Sequence, residues 1–206
     1  VLGISQNHNL GIFEAGISKV GEMQNLETII KPTIGILTNI GSAHDEGFEN
    51  WEQKTAEKLK LFANSEVIIY QKTDLVDALI PENVKTYSWS FDNANADVFI
   101  QIKKNTVFIN NKDAVEIDFV DHASIENAIN CLMILLYLKY DMTTIQKRMK
   151  MLYPIEMRLK VKNGINNTTL IEDSYSSDFQ SLKIALDFFE TQKQYKKKTL
   201  ILSDIF

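Results

Sequence analysis

Short apolar runs alternate with amphipathic segments in the first part of the chain. The runs NLGIFEAG, TIGILTNI and SEVIIYQ are continuous enough to be parallel strands that are buried on both faces. Between them, GEMQNLETIIKP and NWEQKTAEKLKLF place apolar residues at helical spacing, and Asn50 stands where an N-cap is expected. Because strand–helix–strand order is typical of crossover connections, the pattern predicts an α/β fold with a mostly parallel, doubly wound sheet.

A different pattern begins after Tyr87. The segment ADVFIQIKKNTVFINNKDAVEIDF alternates apolar and polar residues around the turns KKN and NNKD. Such period-two alternation with short polar turns predicts an antiparallel meander. HASIENAINCLMILLYLKY then predicts a strongly apolar helix that starts near Asp121 or Ser124, and MTTIQKRMKML predicts a second helix.

Pro154 marks the predicted domain boundary. Beyond it, TTLIEDSY and TLILSDI are predicted strands that bracket the helix SLKIALDFFETQK. We therefore predict a first domain over residues 1–153 and the beginning of a second, Rossmann-like α/β domain over residues 154–206.

Composition excludes several classes of function. The 206 residues carry a net charge of −5 of mixed sign, which argues against a nucleic-acid surface or a basic membrane face. No apolar run approaches the roughly 20 residues that span a bilayer, and no signal peptide is recognisable. The single cysteine, Cys131, excludes an internal disulfide, so the cytosol is the expected compartment. The start without Met and the final strand pattern suggest a piece of a longer protein.

Polar residues follow two of the predicted strands. Glu14 ends the first strand, and the turn TNIGSAH after the next one carries Asn39 and His44. Ligands of open parallel sheets bind at the carboxyl ends of the strands, and a carboxylate with an imidazole there could help to hold Mg²⁺, which keeps waters and takes further ligands from phosphates. On these residues alone, a hydrogen-bonded loop histidine and an ordinary glutamate are the simpler interpretation.

The segment GISKVGE, residues 16–22, imitates the glycine spacing of a Walker A loop. Glu22 and Met23 replace the required Lys and Ser/Thr, and a carboxylate there would repel phosphate. No other segment fits the motif, so we expect no triphosphate-binding loop in this chain.

Several motifs together resemble the Mur ligases, the ATP-dependent amino-acid ligases of peptidoglycan synthesis. EAGISKVGEM, TNIGSAHDEGF and AEKLKLF are similar to the central domain of that family after its P-loop. NAINC, PIEMRLK and EDSYSSDFQSLKIALDFF are similar to the remainder and to the start of the C-terminal domain, so the resemblance covers nearly the whole chain. GEM and the histidine turn most resemble the branch that adds D-alanyl-D-alanine (D-Ala-D-Ala) to UDP-MurNAc-tripeptide. The later segments are also similar to Bacteroidetes proteins in which such a ligase is fused to an alanine racemase.

The resemblance implies a metal site. In such ligases the lysine aligned with Lys58 is carbamylated by CO₂, which turns a cation into an anionic oxygen ligand. Glu14, His44 and the Lys58 carbamate are then implied to hold the magnesium ions that bridge ATP and the acyl acceptor. Asn39 is implied to shape the turn and contact phosphate, so Lys58, His44 and Asn39 are the expected catalytic residues. Without the resemblance, Lys58 would be interpreted as a solvent-facing lysine.

The resemblance also implies three nucleotide-binding residues. Asn127 matches the asparagine that contacts the adenine, Arg158 the arginine that reaches the ribose and phosphates, and Asp173 the aspartate that orients the nucleotide. From sequence alone, these would be a polar residue early in a helix and two surface residues. Residues 176–179 depart from the family's usual Asn and Pro, and KLK at residues 58–60 replaces the KGE common in the D-Ala-D-Ala branch and resembles the D-glutamate-adding branch.

The implied reaction has two steps, phosphorylation of a carboxylate by ATP and attack of an amine on the acyl phosphate. The partners would be small molecules, UDP-MurNAc-peptide and D-Ala-D-Ala, with neither nucleic acid nor membrane involved. Because the phosphate-binding loop is missing, we expect the isolated chain to be inactive. Three alternatives remain open: another branch of the Mur ligases, a folylpolyglutamate synthase, which shares the architecture and the lysine chemistry, and a non-catalytic scaffold relative.

Overall fold

A computed structural model describes residues 3–41, 47–153, 159–174, 179–195 and 197–202. Six of its strands form one sheet in which the spatial order equals the order along the chain. Neighbouring strands run parallel from the first to the fourth and antiparallel from the fourth to the sixth. This confirms the mostly parallel α/β sheet with an antiparallel meander. The strands are β1 (Ile34–Leu37), β2 (Val67–Gln71), β3 (Lys85–Ser90), β4 (Val98–Lys103), β5 (Thr106–Ile109) and β6 (Asp113–Glu116).

Helices cover both faces of this sheet. The alternation of side chains along β2 separates two cores, because Ile68 and Tyr70 pack with residues of the first three helices while Ile69 packs with residues of the next two. The sheet is therefore doubly wound, as predicted. The helices are α1 (Glu22–Ile30), α2 (Trp51–Lys60), α3 (Asp74–Leu79), α4 (His122–Tyr137) and α5 (Met142–Met149).

Side-chain caps fix the starts of the predicted helices. The Asn50 side chain accepts a hydrogen bond from the Gln53 N–H at 2.8 Å, so the predicted cap of α2 is confirmed. Asp121 accepts from the Ser124 N–H at 2.8 Å at the start of α4. Within the described part of the chain, no helix combines the length and the apolar character needed to cross a membrane.

The two turns of the meander lie where the polar clusters KKN and NNKD predicted them. Lys104 has φ 56°, and Asn110 and Asn111 have φ 50° and 59°, which is the left-handed region that tight hairpin turns require. Asparagine tolerates this region better than most residues. Local turn chemistry thus sets the register of β4 to β6.

Two predicted strands are absent from the described residues. In NLGIFEAG, residues 10–16 make no strand ladder, and Leu10 and Ile12 are exposed, Ile12 by 88%. In TLILSDI, residues 199–202 form no strand and Ile201 is exposed, while its last residues lie outside the described part. An apolar run becomes a strand only where a neighbour supplies ladder hydrogen bonds and a face to bury. Among the described residues, neither run has a neighbouring strand that supplies ladder hydrogen bonds.

The last part of the chain contains a two-stranded antiparallel sheet and a helix. Its elements are β7 (Lys160–Asn163), β8 (Thr169–Glu172) and α6 (Phe179–Thr191). β8 and α6 confirm the strand TTLIEDSY and the helix that follows it, but β7 pairs with β8 as a hairpin that the sequence reasoning did not predict. The proposed boundary at Pro154 falls in residues 154–158, outside the described residues, so the division into 1–153 and 154–206 stays a prediction.

Candidate functional site

Two lysines of α2 reach the carboxyl end of β1. The Lys58 Nζ donates a hydrogen bond to the Asn39 carbonyl oxygen at 2.9 Å, and the Lys54 Nζ donates one to the Gly41 carbonyl oxygen at 2.6 Å. Both carbonyls follow β1, which ends at Leu37. The structure therefore brings together Lys58 and Asn39, two of the candidate catalytic residues, at the sheet edge where ligands of such folds bind.

The electrostatic surroundings of Lys58 weaken the binding of a proton to its amine. Its side chain is half-buried, and Lys54 one turn earlier is 1% exposed. Burial, and secondly the positive charge of Lys54, lower the pKa of Lys58 below its ordinary value of 10.5. A lysine with a lowered pKa presents more free amine at a given pH, so it is a better nucleophile than a solvent-facing lysine.

A buried carboxylate ties α2 to the start of α1. Glu57 is 1% exposed, and its Oε1 accepts hydrogen bonds from the N–H groups of Gly21 at 2.7 Å and Met23 at 3.3 Å. Its Oε2 pairs with the Lys60 Nζ at 2.6 Å. Gly21, with φ 96°, is the N-cap of α1 and has no side chain to cap it, so α2 supplies the acceptor. The carboxylate thereby connects the segment after Glu14 to the helix that carries Lys58.

The segment that resembles a Walker A loop satisfies its own N–H groups. The Glu22 Oε2 accepts hydrogen bonds from the N–H groups of Ser18 at 2.6 Å and Lys19 at 3.1 Å. In a phosphate-binding loop such backbone N–H groups face the ligand. Here a carboxylate holds both, which agrees with the rejection of a triphosphate site in this segment.

This segment also lies against the chain that follows β1. A Cβ atom added to Gly47 would lie 2.0 Å from the Ser18 carbonyl oxygen, so only glycine allows this approach of the two backbones. Glu14 belongs to the first segment and is exposed. His44 belongs to residues 42–46, which lie outside the described residues. The convergence of Glu14, His44 and Lys58 on one metal therefore stays a prediction.

The side chains of the described residues can be compared with the ligands that a magnesium ion requires. Among the residues that the structure describes, no group of three or more His, Cys, Asp or Glu could hold a metal. The ammonium groups of Lys54 and Lys58 would repel a divalent cation near Asn39. A carbamate on Lys58 would replace one of these charges with the hard anionic oxygen that magnesium prefers. A free lysine at position 58 is therefore a poor neighbour for magnesium, and magnesium binding by a carbamylated Lys58 stays a prediction.

The start of α4 lies at the same edge of the sheet. The Trp89 Nε1, near the carboxyl end of β3, donates to the Asn130 Oδ1 at 3.2 Å. Just past that strand end, the Phe91 ring lies 6.1 Å from the His122 ring, centroid to centroid. Asn127 lies between these two contacts along α4 and is exposed. The contact of Asn127 with the adenine stays a prediction.

The other two candidate nucleotide-binding residues belong to the last part of the chain. Asp173 follows β8, and its Oδ1 accepts a hydrogen bond from the Leu159 N–H at 3.2 Å. Arg158 lies in residues 154–158, outside the described residues, and is the residue before Leu159. The nucleotide-binding roles of Asp173 and Arg158 stay predictions.

Sequence reasoning did not identify Lys54 and Glu57. Lys54 did carry a signal, because residues four apart on a helix share a face and it lies four before Lys58. Glu57 carried none, since its sequence context is that of a solvent-exposed helix glutamate. Its burial depends on the packing of α1 against α2.

Comparison with known proteins agrees with the fold. Residues 3–135 match the model of the Mur ligase middle domain. The UDP-N-acetylmuramoyl-tripeptide--D-alanyl-D-alanine ligase of Borreliella burgdorferi is 26% identical over 214 residues, an alignment that covers 98% of this chain and 46% of that protein. The chain thus spans just under half the length of this curated relative.

Solved structures show the same architecture. MurF from Acinetobacter baumannii superposes with a TM-score of 0.75 at 19% identity, covering 93% of this chain and 45% of that one. MurF ligase from Thermotoga maritima in complex with ADP superposes with a TM-score of 0.64 at 16% identity, covering 82% and 42% of the two chains. At such identities the likeness concerns the fold. The match of residues 3–135 to the family model, over more than half of the chain, shows that this chain belongs to the Mur ligase family.

Proposed function

We propose that this chain is part of an ATP-dependent ligase that adds D-Ala-D-Ala to UDP-MurNAc-tripeptide in the cytoplasm. The observation that carries the proposal is the hydrogen bond from the half-buried Lys58 amine to the Asn39 carbonyl oxygen, at the carboxyl end of β1. Family membership supports the reaction class, and a relative named for this reaction, similar along 98% of the chain, supports the substrate pair. Because the chain spans 46% of that relative, the activity is proposed for the whole protein.

Carbamylation of Lys58 is the first chemical element of the proposal. The free amine attacks the carbon of CO₂, and an N–C bond forms. One proton leaves when the ammonium becomes the free amine and a second leaves when the carbamate forms, and both pass to solvent. The half-buried position and the lowered pKa of Lys58 support this reaction, because only the uncharged amine is nucleophilic. Glu14, His44 and the Lys58 carbamate would hold magnesium, which when bound supplies charge neutralisation for the transferring phosphoryl group.

The nucleotide is the second element. Asn127, Arg158 and Asp173 would bind ATP, and the ADP in the Thermotoga maritima structure supports nucleotide use by this fold. The γ-phosphoryl group passes to the tripeptide carboxylate. The amine of D-Ala-D-Ala then attacks the acyl carbon through a tetrahedral intermediate, forming the C–N bond as phosphate leaves. The chain's own residues act mainly by positioning these groups, with Asn39 shaping the turn that faces them.

The lysine at position 60 does not by itself favour another acceptor. The departure of KLK from the common KGE suggested the D-glutamate-adding branch. Lys60, however, pairs with the buried Glu57 within the same helix. This pairing explains its presence through the packing of α2 against α1, without a role in acceptor choice.

Activity assays of the intact protein test the proposal. Phosphate release is measured with UDP-MurNAc-tripeptide and D-Ala-D-Ala, with UDP-MurNAc-L-Ala and D-glutamate, and with folate and glutamate, and we expect turnover only with the first pair. Lys58→Ala should abolish this turnover, and a short carboxylate such as acetate should restore part of it by supplying the missing oxygen. Lys112→Ala, at an exposed turn, is the matched control. Full activity of Lys58→Ala, or turnover with only one of the other pairs, would refute the proposal.

A further inference from the structure

A cavity of about 570 Å³ lies at the amino ends of β1 and β2. It is enclosed by the end of α1, the turn before β1 and the residues just before β2. Because β1 and β2 are parallel, this edge of the sheet is opposite to the one where Lys58 contacts Asn39. A volume of this size is typical of small-molecule sites. The lining includes Glu27, Thr28, Lys31, Thr33, Asn64 and Glu66.

The carboxylate of Glu27 lines this cavity although the residue is only 6% exposed. Its Oε1 accepts a hydrogen bond from the Asn64 Nδ2 at 3.0 Å. Within the described part of the chain, the Glu27 side chain has no second hydrogen-bond donor and no ion-pair partner. A glutamate is almost never buried in this way, because desolvation penalises a charge that has no counter-ion.

The second oxygen of Glu27 is reached from the cavity. Among the described side chains, the only fully buried nitrogen or oxygen atom without a partner is the Asn130 Nδ2. The Glu27 Oε2, which accepts no hydrogen bond from a described residue, is therefore not sealed in the interior. It is an acceptor that a ligand in the cavity can use.

The end of α1 makes the same place more negative. The helix ends at Ile30, so the carbonyl groups of its last turn carry the negative end of the helix dipole. This helix is described throughout, and its last turn contains no basic residue. Among the charged lining residues, two glutamates, Glu27 and Glu66, stand against one lysine, Lys31. The cavity therefore has one negative charge in excess and favours a cation.

The available acceptors suit an organic cation better than a metal ion. In the described ranges, no group of three or more His, Cys, Asp or Glu could hold a metal. The cavity offers instead one buried carboxylate and one amide oxygen, because the Asn64 Nδ2 donates to Glu27 and leaves the Asn64 Oδ1 to accept. A guanidinium group is planar and weakly hydrated, and its five N–H donors can serve neighbouring acceptors together.

We propose that this cavity binds a small organic cation through a guanidinium group. The guanidinium donates hydrogen bonds to the Glu27 carboxylate and to the Asn64 amide oxygen, and the carbonyl groups at the end of α1 attract its charge. Binding supplies the counter-ion that the buried carboxylate otherwise lacks. The site is separate from the candidate active site and does not rest on the proposed ligase function.

Two matched substitutions distinguish direct contact from a general effect of charge. Glu27→Gln removes the buried charge and keeps a side-chain oxygen that accepts from Asn64. Glu66→Gln removes the same charge from an exposed glutamate that lines the same cavity. A cation in direct contact with Glu27 loses a charge-assisted hydrogen bond only in the first variant. A cation that is held by the overall potential loses a similar part of its affinity in both.

Methyl NMR of the intact protein measures the binding. Protein labelled with ¹³C in its threonine methyl groups is titrated with millimolar methylguanidinium chloride and, separately, with the neutral analogue N-methylurea. Thr28 and Thr33 line the cavity and report binding, whereas Thr106 in β5 reports unspecific changes. We expect saturable shifts of Thr28 and Thr33 with methylguanidinium alone. The Kd should rise by about tenfold or more in Glu27→Gln, and by less than about threefold in Glu66→Gln.

Several results would overturn the proposal. They are the absence of a saturable shift with methylguanidinium, an equal response to N-methylurea, an unchanged Kd in folded Glu27→Gln, and equal losses in the two glutamate variants. Hydrogen exchange of the α1 amides identifies the folded variants. If Glu27→Gln does not fold, Asn64→Ala decides, because Asn64 is exposed and supplies the second acceptor; an unchanged Kd there would also refute the site. None of these results bears on the ligase assays of the proposed function.

Discussion

Removal of Glu57 should loosen the start of α1 more than any exposed substitution in α2. Its carboxylate accepts hydrogen bonds from the N–H groups of Gly21 and Met23. A hydrogen bond to a buried charged group contributes about 1.5–3 kcal/mol. The bond to Met23, at 3.3 Å, belongs at the low end of this range. The pair with Lys60 adds little, because the Lys60 side chain is 43% exposed.

The sum predicts that Glu57→Ala lowers the local stability by about 3–4 kcal/mol. Glu57→Gln, which keeps a neutral acceptor, should lower it by about half as much. Hydrogen exchange measured by mass spectrometry or NMR on the intact protein reports local opening, and therefore does not require two-state unfolding. We expect the amides of Gly21 and Met23 to exchange on the order of a few hundredfold faster in Glu57→Ala.

Glu52→Ala is the matched control, since Glu52 lies on the same helix and is exposed. We expect it to change local stability by less than about 0.5 kcal/mol. The reasoning fails if Glu57→Ala accelerates these amides no more than Glu52→Ala does. It also fails if these amides exchange as fast in Glu57→Gln as in Glu57→Ala, because the charge and the acceptor would then have no separate effects.

Three further predictions concern the sheet and its helices. Gly35→Ala places a Cβ 2.4 Å from the Phe62 ring and should destabilise β1 by about 1–3 kcal/mol, measured by hydrogen exchange. The double variant with Phe62→Leu should recover part of this stability, and additive losses of the two substitutions would contradict the clash. Burial, and secondly the hydrogen bond to Asp77, raise the pKa of Tyr70 well above its ordinary value of 10.0. The contribution of Tyr70 to stability is therefore complete below pH 10 and is lost as the pH rises through the raised pKa. In absorbance titrations Asp77→Asn should lower the pKa of Tyr70, and an unchanged titration would refute the part assigned to Asp77. Asn50→Ala should cost about 1 kcal/mol at the first turn of α2, and Asn50→Asp should cost almost nothing; equal losses would exclude the cap.

Local signals accounted for most of the sheet and helices. The cap at Asn50, the acid at Asp121 and the left-handed turn asparagines each act within a few residues, so the sequence alone could place α2, α4 and the meander. The run NLGIFEAG had the same apolar character as β2 but forms no strand, because pairing depends on a neighbour that an apolar pattern does not specify. The strand β3 was missed because its residues 85–90 mix polar and aromatic side chains.

The candidate site could likewise be predicted from the sequence only in part. Lys58 and Asn39, which the resemblance implied to be site residues, do meet at one sheet edge, while their catalytic roles stay predictions. The resemblance could not indicate that Lys54 and Glu57 are buried. Charged residues become buried only through contacts between distant segments, here the loop after β1 and the start of α1.

The order of the six strands has a consequence for synthesis on the ribosome. Each strand from β2 to β6 pairs with the strand that precedes it in the chain. During translation, every newly emerged strand of this sheet therefore meets a partner that has already left the exit tunnel. Assembly of these six strands can proceed stepwise from the amino-terminal side, and the most recently added strand offers the open edge on which the next one settles.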